Sequence, residues 1–252
     1  FAEQLKAHFP EIEEVWLIAR RRERLEALAG ACAAQFSSHI LTLDLCCAES
    51  FDILRHELET RKPDVALLVN NAGCGRLGNI AESTPEAQRR MTDLNVTALT
   101  AVTTLVLPYM HRGSHIINVS SIASFCPNPR MTVYSATKAY VSHYTIGLSE
   151  ELKSRGITVP AVCPGPMATE FISVGNIEGN SRMFEMLPYC DQVRVAGTDG
   201  VIEVAHGKCT LINNAGVIMP GSVLDVPAQE IGGRTLIPLR ALVEALGKQV
   251  FW

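Results

Sequence analysis

A tyrosine, a lysine and a serine have the types and spacing that suit proton transfer. Tyr134 and Lys138 stand four residues apart in YSATK, so a helix would place the two side chains side by side on one face. A neighbouring ammonium favours the phenolate, which lowers the pKa of the tyrosine towards the range of a general acid or base. Ser121 ends the apolar run SHIINVSS just upstream. A tyrosine and a lysine at this spacing also occur on solvated helix surfaces, so the surrounding elements must distinguish the two interpretations.

Short apolar runs alternate with longer amphipathic segments through most of the chain. EVWLIA, HILTLDL, DVALLVN, SHIINVSS and ITVPAVCPG predict strands, each too uniformly apolar to expose one face. The segments between them predict helices; the longest are TPEAQRRMTDLNVTALTAVTTLVLPYM and VYSATKAYVSHYTIGLSEELKSRG. This alternation indicates an α/β fold with a doubly wound parallel sheet, extending to about residue 195.

Small, polar or charged residues follow every predicted strand. They are Arg20 and Arg21, Asp44, NNAG at 70–73, SS at 120–121 and PGPMAT at 164–169. Ligands of doubly wound sheets bind at the carboxyl ends of the strands, so these residues are predicted to share one crevice.

Composition excludes several classes of function. The chain has 252 residues, a net charge of −4 and 47% hydrophobic residues, which is typical of a globular protein and offers no basic surface for nucleic acid. No apolar run reaches the roughly 18 residues of a membrane span. The eight cysteines and seven histidines show no metal-binding spacing, so no metal site is expected. Reduced thiols and no signal peptide favour a cytoplasmic location.

The motifs LVNNAG, NVSS followed by YSATK, and PGPMAT resemble the short-chain dehydrogenase/reductase family over about residues 1–195. The resemblance implies a Rossmann-like domain at 1–196 that exchanges hydride between a nicotinamide cofactor and a small carbonyl or alcohol. It implies that Tyr134 is the acid or base, and that Lys138 lowers its pKa and holds the nicotinamide ribose. Ser121 would orient the carbonyl, and Asn95 in DLNV would support a water relay behind the lysine.

The resemblance also implies a set of cofactor contacts. They are Arg20, Arg21, Asp44, Asn70, Ala72, Gly73, Tyr134, Lys138, Pro164, Gly165 and Thr169. Asp44 would meet the adenine. Arg20 and Arg21 follow EVWLIA, which corresponds to the second strand of the family. Arginines at this position suit a 2′-phosphate, which favours NADP(H) over NAD(H). The alternative is that they form only a solvated basic start to a helix.

The beginning of the chain departs from the family pattern. FAEQLKAHF resembles the helix that follows the family's first strand and its glycine-rich, pyrophosphate-binding turn, yet neither of these appears in the sequence. We expect the missing piece to lie before Phe1. That strand is central in the family, between the second and fourth strands, so without it two edges would be unpaired. Weak cofactor binding and impaired turnover are therefore expected.

The end of the chain departs as well. From Gly197 onwards the pattern changes, and Gly233–Trp252 resembles the stalk module named after the N-terminal domain of copper amine oxidases. The resemblance implies a small α+β module at 197–252 that contacts surfaces. The alternative to an enzyme is therefore a non-catalytic, truncated or fused fragment whose remaining role is this surface interaction.

Two further features stay open in the sequence. NNAG occurs again after Thr210, where either an internal repeat or an ordinary hairpin turn explains it; the turn is favoured because no Y-x-x-x-K follows. Apolar residues between Phe171 and Met186 indicate either an apolar substrate or core packing. The family resemblance also implies pairing into a homodimer or tetramer.

Overall fold

The structure is a computed structural model of the chain. It describes residues 5, 9–125 and 127–165, and the strand segments 192–197, 200–205, 208–212, 229–231 and 234–236.

Strands and helices alternate in the first part of the chain. In order they are β1 (Glu14–Ala19), α1 (Arg22–Cys32), β2 (Ser37–Thr42), α2 (Ala48–Arg61), β3 (Val65–Asn70), α3 (Pro85–Thr92), a π-helical turn (Asp93–Ala98), α4 (Leu99–Val106), β4 (Met110–Val119), α5 (Thr132–Leu152) and β5 (Ala161–Pro164). Short 3₁₀ turns lie at Ile80–Glu82, Leu107–Tyr109 and Ile122–Phe125. The predicted α/β fold with parallel strands and covering helices is confirmed.

The parallel strands form two groups. β1 pairs with β2, whereas β3, β4 and β5 pair in that order. Among the described strands, β1 and β3 are not hydrogen-bonded to each other. The family resemblance predicts that these two strands flank the family's first strand.

Further strands follow β5 in antiparallel order. β6 (Gln192–Gly197), β7 (Gly200–Ala205) and β8 (Lys208–Ile212) extend the sheet of β3–β5, and β9 (Gln229–Ile231) pairs with β10 (Arg234–Leu236). The boundary at 196/197 and the stalk-like module stay predictions. The opening helix, the 171–186 segment, the second NNAG and most of Gly233–Trp252 lie outside the described residues.

Two elements differ from the sequence-based expectation. The long helix expected from Thr84 is interrupted by the π-helical turn, which divides it into α3 and α4. The last parallel strand is shorter than ITVPAVCPG, because Pro160 has no N–H to donate to the ladder. Hydrogen bonds between Thr158 and β4 nevertheless continue the pairing on the other side of Pro160.

A single apolar cluster joins the two groups of strands. Its buried residues are Leu41, Leu43, Leu54, Leu58, Val102, Val106, Met110, Ile116, Leu148, Leu152, Ile157 and Val159. The cluster therefore contains side chains of α2, α4 and α5 together with residues in or beside β2, β4 and β5. It holds the carboxyl ends of the strands in fixed relative positions.

No helix in the described part of the chain is both long and apolar enough to cross a membrane.

Candidate active site

Helix α5 brings Tyr134 and Lys138 to the carboxyl ends of β3 and β4. Both side chains are buried, with 7% and 5% of their surface exposed. The helix can bury polar residues because each finds a partner: Ser120 at the end of β4, for example, donates to the Lys138 backbone oxygen and bonds the Ser142 hydroxyl. The structure therefore rules out the alternative of a solvated surface pair.

Lys138 is anchored at the end of β4. Its Nζ donates to the Val119 backbone oxygen at 2.7 Å and lies 5.9 Å from the centre of the Tyr134 ring. Burial lowers the pKa of Lys138 to about 8. The ammonium is therefore held in a fixed place, where it has lost the water that would stabilise its charge.

Tyr134 differs from the sequence-based expectation in the direction of its pKa. The spacing to Lys138 predicted a lowered value, whereas burial raises the pKa of Tyr134 and a hydrogen bond with Ser121 only partly opposes this. Loss of solvation outweighs this hydrogen bond because the phenol is almost fully enclosed. The phenol is therefore protonated at neutral pH. The Ser121–Tyr134 hydrogen bond brings together two of the predicted catalytic side chains.

Asn95 lies in the π-helical turn and clamps the loop that follows β3. Its Oδ1 accepts from the Cys74 backbone N–H at 2.9 Å, and its Nδ2 donates to the Cys74 backbone oxygen at 2.8 Å. Its second Nδ2 proton goes to Thr137 Oγ1 at 3.0 Å. With only 1% of its surface exposed, Asn95 is buried with all its donors engaged. It joins three segments of the site.

Gly73 fits closely against this cluster. A Cβ on Gly73 would lie 3.3 Å from Asn95 Oδ1, which is a tight contact, and 3.4 Å from Lys138 Nζ, which is van der Waals contact. Ala72 precedes it at the exposed rim of the loop. Backbone free of side-chain bulk in front of a lysine and a tyrosine fits the nicotinamide and ribose end of a dinucleotide.

Asn70 is turned into the core. Its Nδ2 donates to Thr103 Oγ1 at 2.9 Å and to Asn118 Oδ1 at 2.8 Å, and Asn118 Nδ2 donates to Thr145 Oγ1 at 2.9 Å. Both Asn70 amide protons thus tie β3 to α4 and β4. Its predicted contact with a cofactor stays a prediction.

Asp44 and Arg20 follow β2 and β1, and Arg20 lies close enough to Cys74 to act on the pKa of its thiol. Asp44 Oδ2 accepts from Arg90 of α3 at 2.8 Å, and its Oδ1 accepts from the Cys46 backbone N–H at 3.1 Å. The Arg90 guanidinium holds the pKa of Asp44 below its usual value, and Arg20 adds a weaker effect of the same sign. Arg20 and Arg21 are both exposed. This region therefore presents cationic groups that suit a phosphate, and an oriented carboxylate.

The remaining predicted contacts lie at the end of β5. Pro164 is its last residue, Gly165 follows it, and both are half-buried. Thr169 lies outside the described residues. Within the described residues, no group of three or more His, Cys, Asp or Glu side chains is arranged to hold a metal ion.

The sequence-based reasoning missed Thr137, Arg90 and the Thr103–Asn118–Thr145 set. A signal existed for the last group, since each is a polar residue on an otherwise apolar strand or helix face. Thr137 and Arg90 had no such signal, because their partners lie more than 40 positions away in the chain.

Comparisons with known proteins agree with this geometry. The short chain dehydrogenase family model matches residues 10–176. Serine 3-dehydrogenase of Rhizobium radiobacter is 32% identical over 182 residues, which cover 69% of this chain and 72% of that protein. Sulfoacetaldehyde reductase of Chromohalobacter salexigens is 36% identical over 162 residues, or 63% of this chain and 64% of that protein.

A solved structure extends the likeness to three dimensions. A short-chain dehydrogenase from Sphingobium yanoikuyae, in complex with NADPH, superposes with a TM-score of 0.63 at 28% identity. The match covers 79% of this chain and 75% of that one. With its parallel strands and its tyrosine, lysine and serine at their carboxyl ends, this chain belongs to the short-chain dehydrogenase family of NAD(P)(H)-dependent oxidoreductases.

Proposed function

We propose that the chain is an NADP(H)-preferring oxidoreductase that interconverts a small carbonyl compound and its alcohol. The observation that carries the proposal is the convergence of Ser121, Tyr134, Lys138 and Asn95 at the carboxyl ends of β3 and β4. In a doubly wound sheet this is where ligands bind.

Each side chain has a distinct part in the chemistry. The cofactor, when bound, supplies or accepts the hydride. Tyr134 is protonated at neutral pH and donates its phenol proton to the carbonyl oxygen during reduction. Ser121 hydrogen-bonds the same oxygen and holds it against the phenol. Lys138 donates a hydrogen bond to the Val119 backbone oxygen and places a positive charge beside the ring of Tyr134. It would also hold the ribose of the bound cofactor.

The cofactor preference rests on the residues after β1. Arg20 and Arg21 are exposed there, and neither position offers the acidic side chain that binds both ribose hydroxyls of NAD. A guanidinium binds a 2′-phosphate through charge-assisted hydrogen bonds. The NADPH complex of the Sphingobium yanoikuyae relative supports the same preference.

Fluorescence titration of the purified chain with NADPH and with NADH tests the proposal. The titration should extend to millimolar concentrations of each cofactor. We expect NADPH to bind more tightly than NADH. Arg20→Ala should weaken NADPH binding by about tenfold, the effect of one charge-assisted hydrogen bond, and leave NADH binding nearly unchanged.

Tyr134→Phe is the matched variant for the chemical step. It removes one oxygen and should retain cofactor binding while turnover of a carbonyl probe falls by at least about 100-fold, the size of a general-acid contribution. If neither cofactor binds at millimolar concentration, or if Tyr134→Phe turns over as fast as the wild type, the proposal is wrong.

A further inference from the structure

Thr137 lies inside the YSATK segment and is buried, with 4% of its surface exposed. Its Oγ1 accepts a hydrogen bond from Asn95 Nδ2 at 3.0 Å and donates one to the Tyr134 backbone oxygen at 2.7 Å. One hydroxyl therefore satisfies Asn95 and binds the backbone of Tyr134.

These contacts complete a chain of hydrogen bonds across the site. The backbone N–H and oxygen of Cys74 both hydrogen-bond the side-chain amide of Asn95. The same amide donates to Thr137 Oγ1, which in turn donates to the Tyr134 backbone oxygen. The chain thus runs from the loop after β3, through the π-helical turn, to α5.

The position of the loop matters because it borders the lysine. Gly73 adjoins Cys74, and a Cβ added to it would press on Asn95 Oδ1 and touch Lys138 Nζ. A shift of Asn95 would therefore move the loop relative to Tyr134 and Lys138. A misplacement of about 1 Å in a catalytic site can lower the rate by about 100-fold.

We propose that Thr137 is a positioning residue, which locks the Asn95 clamp on Cys74 and thereby sets Tyr134 against the loop after β3. The catalytic consequence rests on the function proposed above, whereas the lock itself does not. Without the Thr137 hydroxyl, one buried Asn95 N–H has no acceptor, and the amide is no longer held in the orientation that pairs with Cys74.

Two variants of Thr137 and one of Thr145 isolate this effect. Thr137→Val keeps the shape of the side chain and removes the hydroxyl, whereas Thr137→Ser keeps the hydroxyl. Thr145→Val is the matched control from the same helix. Thr145 is also buried, accepts from an asparagine amide, Asn118, at 2.9 Å and donates to a backbone oxygen one turn earlier at 2.6 Å.

The first measurement is hydrogen–deuterium exchange of the Cys74 amide in the full chain without cofactor. We expect Thr137→Val to speed this exchange by about tenfold, as one buried hydrogen bond is lost, while Thr137→Ser and Thr145→Val exchange like the wild type. Equal exchange in Thr137→Val and the wild type, or equally fast exchange in Thr145→Val, would overturn the proposal.

The second measurement separates kcat from KM in NADPH-dependent reduction of 4-nitrobenzaldehyde as the carbonyl probe. We expect Thr137→Val to lower kcat by about tenfold with little change in the KM for NADPH, and Thr137→Ser to restore it. A kcat equal to that of the wild type would overturn the catalytic consequence. No turnover by the wild type would count against the function proposed above, and the exchange rate of Cys74 would still decide for or against the lock.

Discussion

Tyr134 and Lys138 are both ionisable and both nearly inaccessible to solvent. Burial raises the pKa of the tyrosine and lowers that of the lysine, so each group resists its charged form. The two shifts have the same cause and opposite directions. Perturbed pKa values of this kind are typical of groups that transfer protons. Because Lys138 is protonated near neutral pH, its burial also reduces the stability of the folded chain there.

Lys138→Met tests this cost through its pH dependence. The pKa of Lys138 falls from 10.5 to about 8 on folding, so between these values the unfolded chain binds more protons. Stability from this group therefore rises with pH through that window. We expect the free energy of unfolding of the wild type, relative to that of Lys138→Met, to increase by about 2 kcal/mol between pH 7 and pH 9.5. Urea unfolding of both proteins measures this difference.

Urea unfolding of the wild type and of Lys138→Met at lower pH provides the control. Between pH 6 and pH 7 the lysine is protonated in both states, so the stability difference should be constant there. Any part of the hydrogen bond to Val119 that depends on protonation is already contained in the pKa of Lys138, so it adds no further slope. A difference that stays constant up to pH 9.5 would contradict a lowered pKa.

At the scale of the elements, a buried polar strut ties the strands to the helices behind the site. It consists of Asn70, Thr103, Asn118 and Thr145, which come from β3, α4, β4 and α5. Both amide protons of Asn70 and one of Asn118 have acceptors in it. Such networks specify one arrangement because a broken member leaves a buried group unpaired. The strut thereby ties β3 and β4 to α4 and α5.

Thr103→Val tests the strut against a neighbouring threonine. The variant leaves a buried Asn70 N–H without an acceptor, and we expect it to reduce the free energy of unfolding by about 1 to 3 kcal/mol. Thr104 makes the same kind of bond to the carbonyl one turn earlier, but its side chain is exposed. Thr104→Val should therefore change stability by less than about 0.5 kcal/mol. Equal effects of the two variants in urea unfolding would contradict a role for the strut.

At the scale of the whole molecule, one apolar cluster connects the β1–β2 pair with the sheet of β3–β5. Helix α2 packs against α4, and Leu54 of α2 is buried among residues of both groups. Since β1 and β3 are not hydrogen-bonded to each other in the described structure, this packing carries the connection. We infer that the relative position of Arg20 and Tyr134 depends on it.

Leu54→Ala tests the connection between the two groups of strands. Leu54 is 1% exposed, and its truncation leaves a cavity, so we expect a loss of about 2 to 5 kcal/mol in thermal or urea unfolding. Ile53 precedes it in the helix and is 47% exposed. Ile53→Ala should cost less than about 0.5 kcal/mol. Two variants of similar stability would show that the cluster does not carry the connection.

The sequence by itself determined the elements and the identity of the central residues. Apolar runs gave the strands, and a four-residue spacing placed Tyr134 beside Lys138, because helix and strand periodicity are local properties of the chain. Only the tertiary structure decided what surrounds them. The raised pKa of Tyr134, the inward turn of Asn70 and the Asn95–Thr137 bond depend on atoms from distant segments, and no local pattern specifies which distant segments meet.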